Sequence, residues 1–296
     1  MRNYHIFHID TFTDQAFSGN PAGVVPNAEG LTSSEMQQIA SEMNLSETAF
    51  LLSSTRDKSD YQIKFFTPFC EVDFCGHATL AAAWVVAQKF DLKSSSAVVT
   101  FATNVGSVPV EFKQEEDHLL MIMTQVEPKV KPVDIDYDQL ASMLGVSVTD
   151  FDLQLPIKLA FTGNWHLVVP MKDQASIDQA SPLFEELKWW NKDIGIVTNH
   201  LFTLNTKDPM VDIYTRDFAP AVGVNEDPVT GSANGALMSY LYMEGQLRES
   251  NQYRIIQGNS QNRPGTVLAT IIKRSGHIQV KVGGSAVTTI KGMITL

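Results

Sequence analysis

The sequence predicts an α+β protein of two pseudo-symmetric domains, each a barrel-like β-sheet wrapped around a central buried helix. Three observations carry this reading. The first is length: 296 residues accommodate two domains of roughly 150 residues each. The second is a weak internal repeat about half a chain apart. Ser18-Gly19-Asn20, followed by Val24-Val25, recurs as Thr162-Gly163-Asn164, followed by Val168-Val169. Glu71, Gly76, Ala78 and Ala81 recur at the same spacing as Glu226, Gly231, Ala233 and Ala236. A period this long is too large for a solenoid, so it points to two related domains. The third is that each half has one helical run that is apolar almost all round, which marks an enclosed helix.

In the first half, Tyr4–Thr11, Gly23–Pro26, Ala49–Ser53 and Tyr61–Phe66 read as strands from their β-branched and aromatic content. Thr32-Ser-Ser-Glu35 has the spacing of a capping box and opens a predicted helix to about Met43. The buried helix is expected from about His77 to Lys89, followed by strands at Val98–Phe101, Gly106–Phe112 and Leu119–Thr124. In the second half, strands are expected at Lys158–Phe161, Leu167–Pro170, Leu201–Leu204, Val211–Arg216, Arg254–Gln257, Val267–Lys273 and Gln279–Val282. Its buried helix, Ser232–Met243, stops at Gly245, a residue suited to a helix C-terminus. Two prolines and mixed charge in Val126–Pro132 mark the linker. The expected domains are 1–126, with a strand near 284–296 packing back on it, and 133–283.

Composition narrows the function classes. Hydrophobic residues make 44% of the chain and charged residues 19%, enough apolar material for a packed core. Lys+Arg is 22 against Asp+Glu 33, a net charge of −11. With no dense basic stripe, that balance argues against binding to nucleic acid or an anionic membrane surface. No apolar run approaches the ~20 residues needed to span a bilayer. The first ten residues read as a strand and lack the apolar core of a signal peptide. Cys70 and Cys75 are the only cysteines and form no zinc or redox motif, which suggests a reducing, cytoplasmic setting. No His-x-x-x-His, phosphate-binding glycine loop or calcium-loop spacing occurs, so neither metal nor cofactor is expected. His5 and His8 would face opposite sides of a strand.

Gly76-His77 and Gly231-Ser232 sit at the starts of the two buried helices. A helix start offers unpaired N–H groups and about half a positive charge, suited to a small anionic metabolite. One such turn alone is better explained as strand-to-helix geometry; two equivalent turns followed by polar residues favour a shared crevice. Glu47, in Asn44-Leu-Ser-Glu-Thr-Ala-Phe50, lies at a helix-to-strand junction with apolar neighbours, where partial desolvation suits a carboxylate that takes and returns a proton. A solvated loop residue is the plain alternative. Asp227, before Pro228, reads by itself as a turn or cap residue. His77 reads equally as a proton carrier or a structural helix-start histidine. A Cys75–His77 nucleophile pair is disfavoured, since no third orienting group is visible.

Taken together, Asp10-Thr-Phe-Thr-Asp-Gln-Ala-Phe-Ser-Gly-Asn-Pro-Ala-Gly-Val24, the Asn44–Phe50 segment, Cys75-Gly-His-Ala-Thr79, Asp227-Pro-Val-Thr-Gly-Ser-Ala233, Gln257-Gly and Arg263-Pro-Gly265 resemble the PhzF-like family of phenazine biosynthesis. The match runs in order over nearly the whole chain. The resemblance implies the diaminopimelate-epimerase-like fold, an active site between the two domains, and a homodimer. It also implies a cofactor-independent isomerase that moves a proton on a small carboxylated, cyclic metabolite, as in isomerisation of trans-2,3-dihydro-3-hydroxyanthranilate. Carried over by motif, the general base and acid is Glu47, assisted by His77 and Asp227. Ser232, Gly76, Gly231 and Asn20 are substrate contacts. Two alternatives stay open: a non-catalytic metabolite-binding protein, and an amino-acid racemase or epimerase. The latter needs two thiols, and Thr230 stands where the second would be.

Overall fold

A computed structural model describes residues 1–56, 58–90, 97–115, 118–274 and 276–296. The protein is mixed α/β and mostly sheet, with six α-helices among the described residues. Its contacts divide it into residues 1–124 with 283–296, and residues 125–282.

The first unit runs β1 (Asn3–Thr11), β2 (Asn20–Val25), α1 (Ser33–Met43), β3 (Thr48–Ser53), β4 (Tyr61–Phe66), β5 (Glu71–Val72), α2 (Gly76–Phe90), β6 (Val98–Thr103), β7 (Gly106–Glu115) and β8 (His118–Thr124). Antiparallel pairs β1–β2, β3–β4, β4–β5, β6–β7 and β7–β8 alternate with parallel pairs β2–β3 and β4–β6. Each parallel pair needs a crossover, and α1 and α2 supply them. Thr32 begins α1 through the expected reciprocal box: its hydroxyl accepts from Glu35 N at 3.2 Å, and Glu35 Oε2 accepts from Thr32 N at 2.8 Å. Met36, Ile39 and Ala40 of α1 pack on Tyr4, Val25, Phe50 and Phe66. Nine of the fifteen residues of α2 are buried, and most are alanine or valine. Small side chains let β1, β2 and β3 approach this helix closely.

The second unit runs β9 (Lys129–Pro132), α3 (Tyr137–Leu144), β10 (Lys158–Phe161), β11 (Trp165–Pro170), α4 (Gln174–Asp178), α5 (Phe184–Ile194), β12 (Thr198–Thr203), β13 (Ile213–Ala219), β14 (Val224–Asp227), α6 (Gly231–Met243), β15 (Gln252–Gln257), β16 (Gly265–Arg274) and all but the last two residues of β17 (His277–Gly284). Here too antiparallel pairs β10–β11, β12–β13, β13–β14 and β15–β16 alternate with parallel pairs β11–β12 and β13–β15. Strand by strand, this is the pairing order of β1 to β7. The last strand, β18 (Ala286–Thr295), pairs antiparallel with β1 along its whole length, with one irregularity between His8 and Ile9.

Several expectations are corrected. The segment read as a linker contributes β9, which pairs with β10. Strand β12 starts at Thr198 rather than Leu201, and β13 ends at Ala219 rather than Arg216. All thirteen residues of these two strands are buried, including Asn199, His200 and Asp217. Polar side chains inside a sheet break the apolar pattern that a sequence reading follows. Helices α3, α4 and α5 were not anticipated, although Asp136 caps α3 and Gly145 closes it in the left-handed region.

Candidate active site

In the first unit, α1 ends at Asn44 in a left-handed conformation, and the chain turns into β3. Glu47 lies in that turn, its carbonyl accepting from Gly23 N at 3.0 Å. Its side chain is 21% exposed. One carboxylate oxygen, Oε2, is buried, makes no hydrogen bond and lies 3.3 Å from His77 Nε2. The pair is close enough for charge interaction but is not aligned as a hydrogen bond. His77 sits in the first turn of α2 with its side chain 10% exposed. Ser46 Oγ is 3.3 Å from Nε2, and Cys75 Sγ is 3.4 Å from Nδ1. Burial holds the His77 pKa below its ordinary value, with Glu47 partly opposing that shift. The imidazole is therefore neutral at neutral pH and can accept or relay a proton.

Glu47, Cys75 and His77 lie side by side as carboxylate, thiol and imidazole. Among the described residues these three also form the one cluster of metal-ligand type, their donor atoms within 4.8 Å of one another. Thiolate, imidazole and carboxylate can together hold a divalent transition metal.

Gly76 opens α2. Its backbone is not left-handed, and a methyl group there would meet only the flexible end of Met123 at 3.3 Å. Gly19, beside Asn20, is the conformationally demanding glycine: φ is +61°, and an added Cβ would lie 2.0 Å from Thr11 O. Asn20 is fully buried at the start of β2, its carbonyl accepting from Thr11 Oγ1 at 2.9 Å.

In the second unit the structure brings Asp227, Gly231 and Ser232 together at the start of α6. Asp227 and Ser232 are half-buried and Gly231 is buried. Arg216 fixes the hairpin in front of them, gripping Glu226 with two bonds of 2.8 and 2.9 Å. Its remaining nitrogen donates to the carbonyls of Ile177, Asp178 and Ala180. Gly258, with φ +93°, supports the turn from the other side: a Cβ there would lie 2.7 Å from Pro228 O. Thr230 caps no backbone N–H of α6. Instead its hydroxyl is 2.9 Å from Asp217 Oδ2 and 2.5 Å from Asp227 Oδ2. The first-turn amides are thus free of a side-chain cap, the condition under which a helix start receives an anion.

Behind this turn lies a polar network that sequence reasoning missed. His200 and Asp217 are fully buried, with Nδ1 2.9 Å from Oδ1. Burial works to raise the Asp217 pKa, but the hydrogen bond and charge of His200 outweigh it and leave the carboxylate below its usual range. His166 is pushed down to about 4, chiefly by burial, with Asp217 raising it and His200 lowering it further. The signal in the sequence was Thr198-Asn-His200, a polar run inside an otherwise apolar strand.

Comparison with known proteins agrees with this architecture. The family described as "Phenazine biosynthesis-like protein" matches residues 9–292. An uncharacterized isomerase of Clostridium acetobutylicum is 36% identical over 303 residues, covering 100% of this chain and 99% of its own. The crystal structure of a PhzF-family phenazine biosynthesis protein from Bacillus anthracis has a TM-score of 0.92 and 32% identity, covering 100% of both chains. A hydroxyproline epimerase from Agrobacterium vitis, at 12% identity and a TM-score of 0.67, shares the fold; it covers 100% of this chain and 93% of its own. With matched family residues running from β1 to β18 and relatives named as isomerases, the chain is an isomerase of the phenazine biosynthesis-like, or PhzF, family.

Proposed function

We propose that the protein is a cofactor-independent isomerase that shifts a proton on a small carboxylated, cyclic metabolite, with Glu47 as the group that removes and returns it. The observation that carries this reading is the state of Glu47 Oε2: buried, without a hydrogen bond, and 3.3 Å from His77 Nε2. A carboxylate oxygen that no donor occupies keeps its lone pairs for a substrate proton. One such group suffices for a shift on one face of a ring. His77 assists by accepting or relaying the proton beside Glu47. In the second unit, Asp227, Gly231 and Ser232 offer an acid and backbone donors at a helix start, suited to a substrate carboxylate and to charge that builds during deprotonation. Gly76 and Asn20 are the corresponding contacts in the first unit.

The test is proton exchange in deuterated water. Wild type and Glu47→Gln are incubated with dihydro-hydroxyanthranilate and a panel of cyclic and amino-acid carboxylates. Label in a substrate with wild type and its loss in Glu47→Gln support the reading; equal label with both overturns the role of Glu47. Tight binding without exchange would favour a non-catalytic binding protein.

A second reading has one observation behind it, the contact of Cys75 Sγ with His77 Nδ1 at 3.4 Å. There Cys75 would be the proton carrier of an amino-acid epimerase. Against two-thiol chemistry stands Thr230, whose hydroxyl is taken up by Asp217 and Asp227. Exchange retained in Cys75→Ser removes the thiol reading.

A further inference from the structure

Carboxylate, thiol and imidazole converge at the start of α2 from two separate segments whose backbones are pinned. The carbonyl of Glu47 accepts from Gly23 N at 3.0 Å. The carbonyl of Cys75 accepts from Thr79 N at 3.1 Å and from Thr79 Oγ1 at 2.7 Å. His77 follows in the first turn of the helix. The three groups are largely out of water: Cys75 is 8% exposed, and the side chains of His77 and Glu47 are 10% and 21% exposed. His77 Nε2 lies at the centre, 3.3 Å from Glu47 Oε2, 3.9 Å from Cys75 Sγ and 3.3 Å from Ser46 Oγ. One donor atom from each of Glu47, Cys75 and His77 lies within 4.8 Å of the other two.

These spacings are close to those of a tetrahedral metal centre. Zinc bonds of ~2.0 Å to nitrogen and oxygen and ~2.3 Å to sulfur, at tetrahedral angles, set nitrogen about 3.3 Å from oxygen and about 3.5 Å from sulfur. The observed nitrogen–oxygen distance fits, and the nitrogen–sulfur distance needs to close by a few tenths of an ångström. Drawing sulfur and carboxylate oxygen together takes side-chain movement on the order of 1 Å. The charges also match, since a thiolate and a carboxylate neutralise a doubly charged ion at a site with little water. Thiolate and imidazole select a soft transition ion of the zinc type over magnesium or calcium. Glu47 Oε2, buried and without a hydrogen bond, is an acceptor that such an ion would serve. No metal motif marks the site in the sequence, because its carboxylate comes from the turn after α1 rather than from α2.

We infer that Glu47, Cys75 and His77 form a binding site for a soft divalent transition metal ion of the zinc type, which blocks the proposed proton transfer when it is bound. On binding, the Cys75 thiol gives its proton to solvent as the metal–sulfur bond forms, and Nε2 and Oε2 each donate a lone pair. The fourth position lies beside Ser46 Oγ and is open to water. Such an ion is no cofactor of the proposed reaction, because it occupies the lone pairs of Glu47 and His77 with which that reaction moves its proton. The blocking effect rests on the proposed role of Glu47, whereas binding of the ion does not.

The experiment is metal titration of the tag-free, unliganded protein, with Zn²⁺ followed by calorimetry and Co²⁺ by absorbance. The expected result is one ion per chain and, with Co²⁺, the charge-transfer band of a thiolate ligand. Cys70→Ser, at the exposed cysteine, keeps that band, and Cys75→Ser abolishes it. Cys75→Ser and His77→Ala each lower Zn²⁺ affinity by about 10²-fold or more. Absence of stoichiometric binding by the wild type overturns the inference, as does a band that persists in Cys75→Ser or is lost in Cys70→Ser. Should the Cys75 or His77 variant fail to fold, zinc X-ray absorption of Cys70→Ser, whose sole cysteine is Cys75, decides. One sulfur at about 2.3 Å supports the site, and a ligand shell without sulfur overturns it. In the exchange assay, saturating Zn²⁺ abolishes label and a chelator restores it; label retained at saturation overturns the blocking effect. Because the metal titration uses no substrate, its failure is distinguishable from failure of the proposed role of Glu47.

Discussion

The starts of α2 and α6 grow from the same repeated pattern, a glutamate five residues before a glycine that opens a buried helix, yet they are built oppositely. Around α2, the donor atoms of Glu47, Cys75 and His77 crowd within 4.8 Å of one another, and one carboxylate oxygen of Glu47 has no hydrogen bond. Around α6, Thr230, Asp217, His200, Asn234 and Gln257 satisfy one another almost atom for atom. The repeat's glutamates differ in the same way. Glu71 meets Lys64 at 3.4 Å with both side chains a quarter to a third exposed, whereas Glu226 is held by two bonds from a nearly buried Arg216. The same repeated pattern thus carries an unserved carboxylate oxygen at one helix start and a closely hydrogen-bonded network at the other. A satisfied polar network fixes geometry.

The largest effect that would break this comparison is chemical. Glu47→Gln is expected to lower proton exchange by about 10²–10⁴-fold, the range for a lost general base. An equal loss in Thr230→Ser, which keeps the hydroxyl, would erase the contrast between the two helix starts. The next contrast is in stability. Arg216→Met removes one partner of a nearly buried ion pair and should cost roughly 3–5 kcal/mol. Lys64→Met, at the equivalent place in β4, should cost about 1 kcal/mol or less. Denaturant unfolding of both variants checks this, and equal losses would show the two hairpins to be alike.

Acid sharpens the comparison further. His166 has a folded pKa of about 4 against an ordinary 6.5. The unfolded chain therefore takes up the proton first on acidification. The stability this histidine contributes is complete above pH ~6.5 and is lost as pH falls towards about 4. It amounts to about 3 kcal/mol at most. His77 is shifted in the same direction. Urea unfolding between pH 7 and 4 should show falling stability, and His166→Asn should flatten that slope without removing the part due to His77. The smallest effect is a control away from both helix starts. Thr32→Ala and Asp136→Ala should each cost about 1 kcal/mol by uncapping α1 and α3, read as a shift in denaturation midpoint.

Much of the fold was legible where local chemistry acts alone. The Thr32–Glu35 box, the alanine-rich run of α2 and the apolar run of α6 each needed only neighbouring residues. The ends of β12 and β13 were not legible, because Asn199, His200 and Asp217 are polar residues buried by partners that come from elsewhere in the chain. Helix α5 was missed for a related reason: it begins at Leu183 with no side-chain cap, and tertiary packing of Leu187 holds it. At the candidate site, the motif pointed to Glu47 and His77. Nothing in the twenty-nine residues between them indicated that Nε2 and Oε2 would lie 3.3 Å apart.

The amino-acid order by itself determined the residue types at each helix start, the glycine-opened turns and the two enclosed helices, since these depend on short-range spacing and side-chain volume. Which hydroxyl, amide or imidazole each acid would meet was decided by tertiary structure alone. Strand pairing brings Arg216 to Glu226 and Asp217 to His200, and the return of β18 to β1 joins residues near the two chain ends. Proton positions follow from such contacts, because burial removes water as an alternative partner and leaves every hydrogen to be shared among the few groups present.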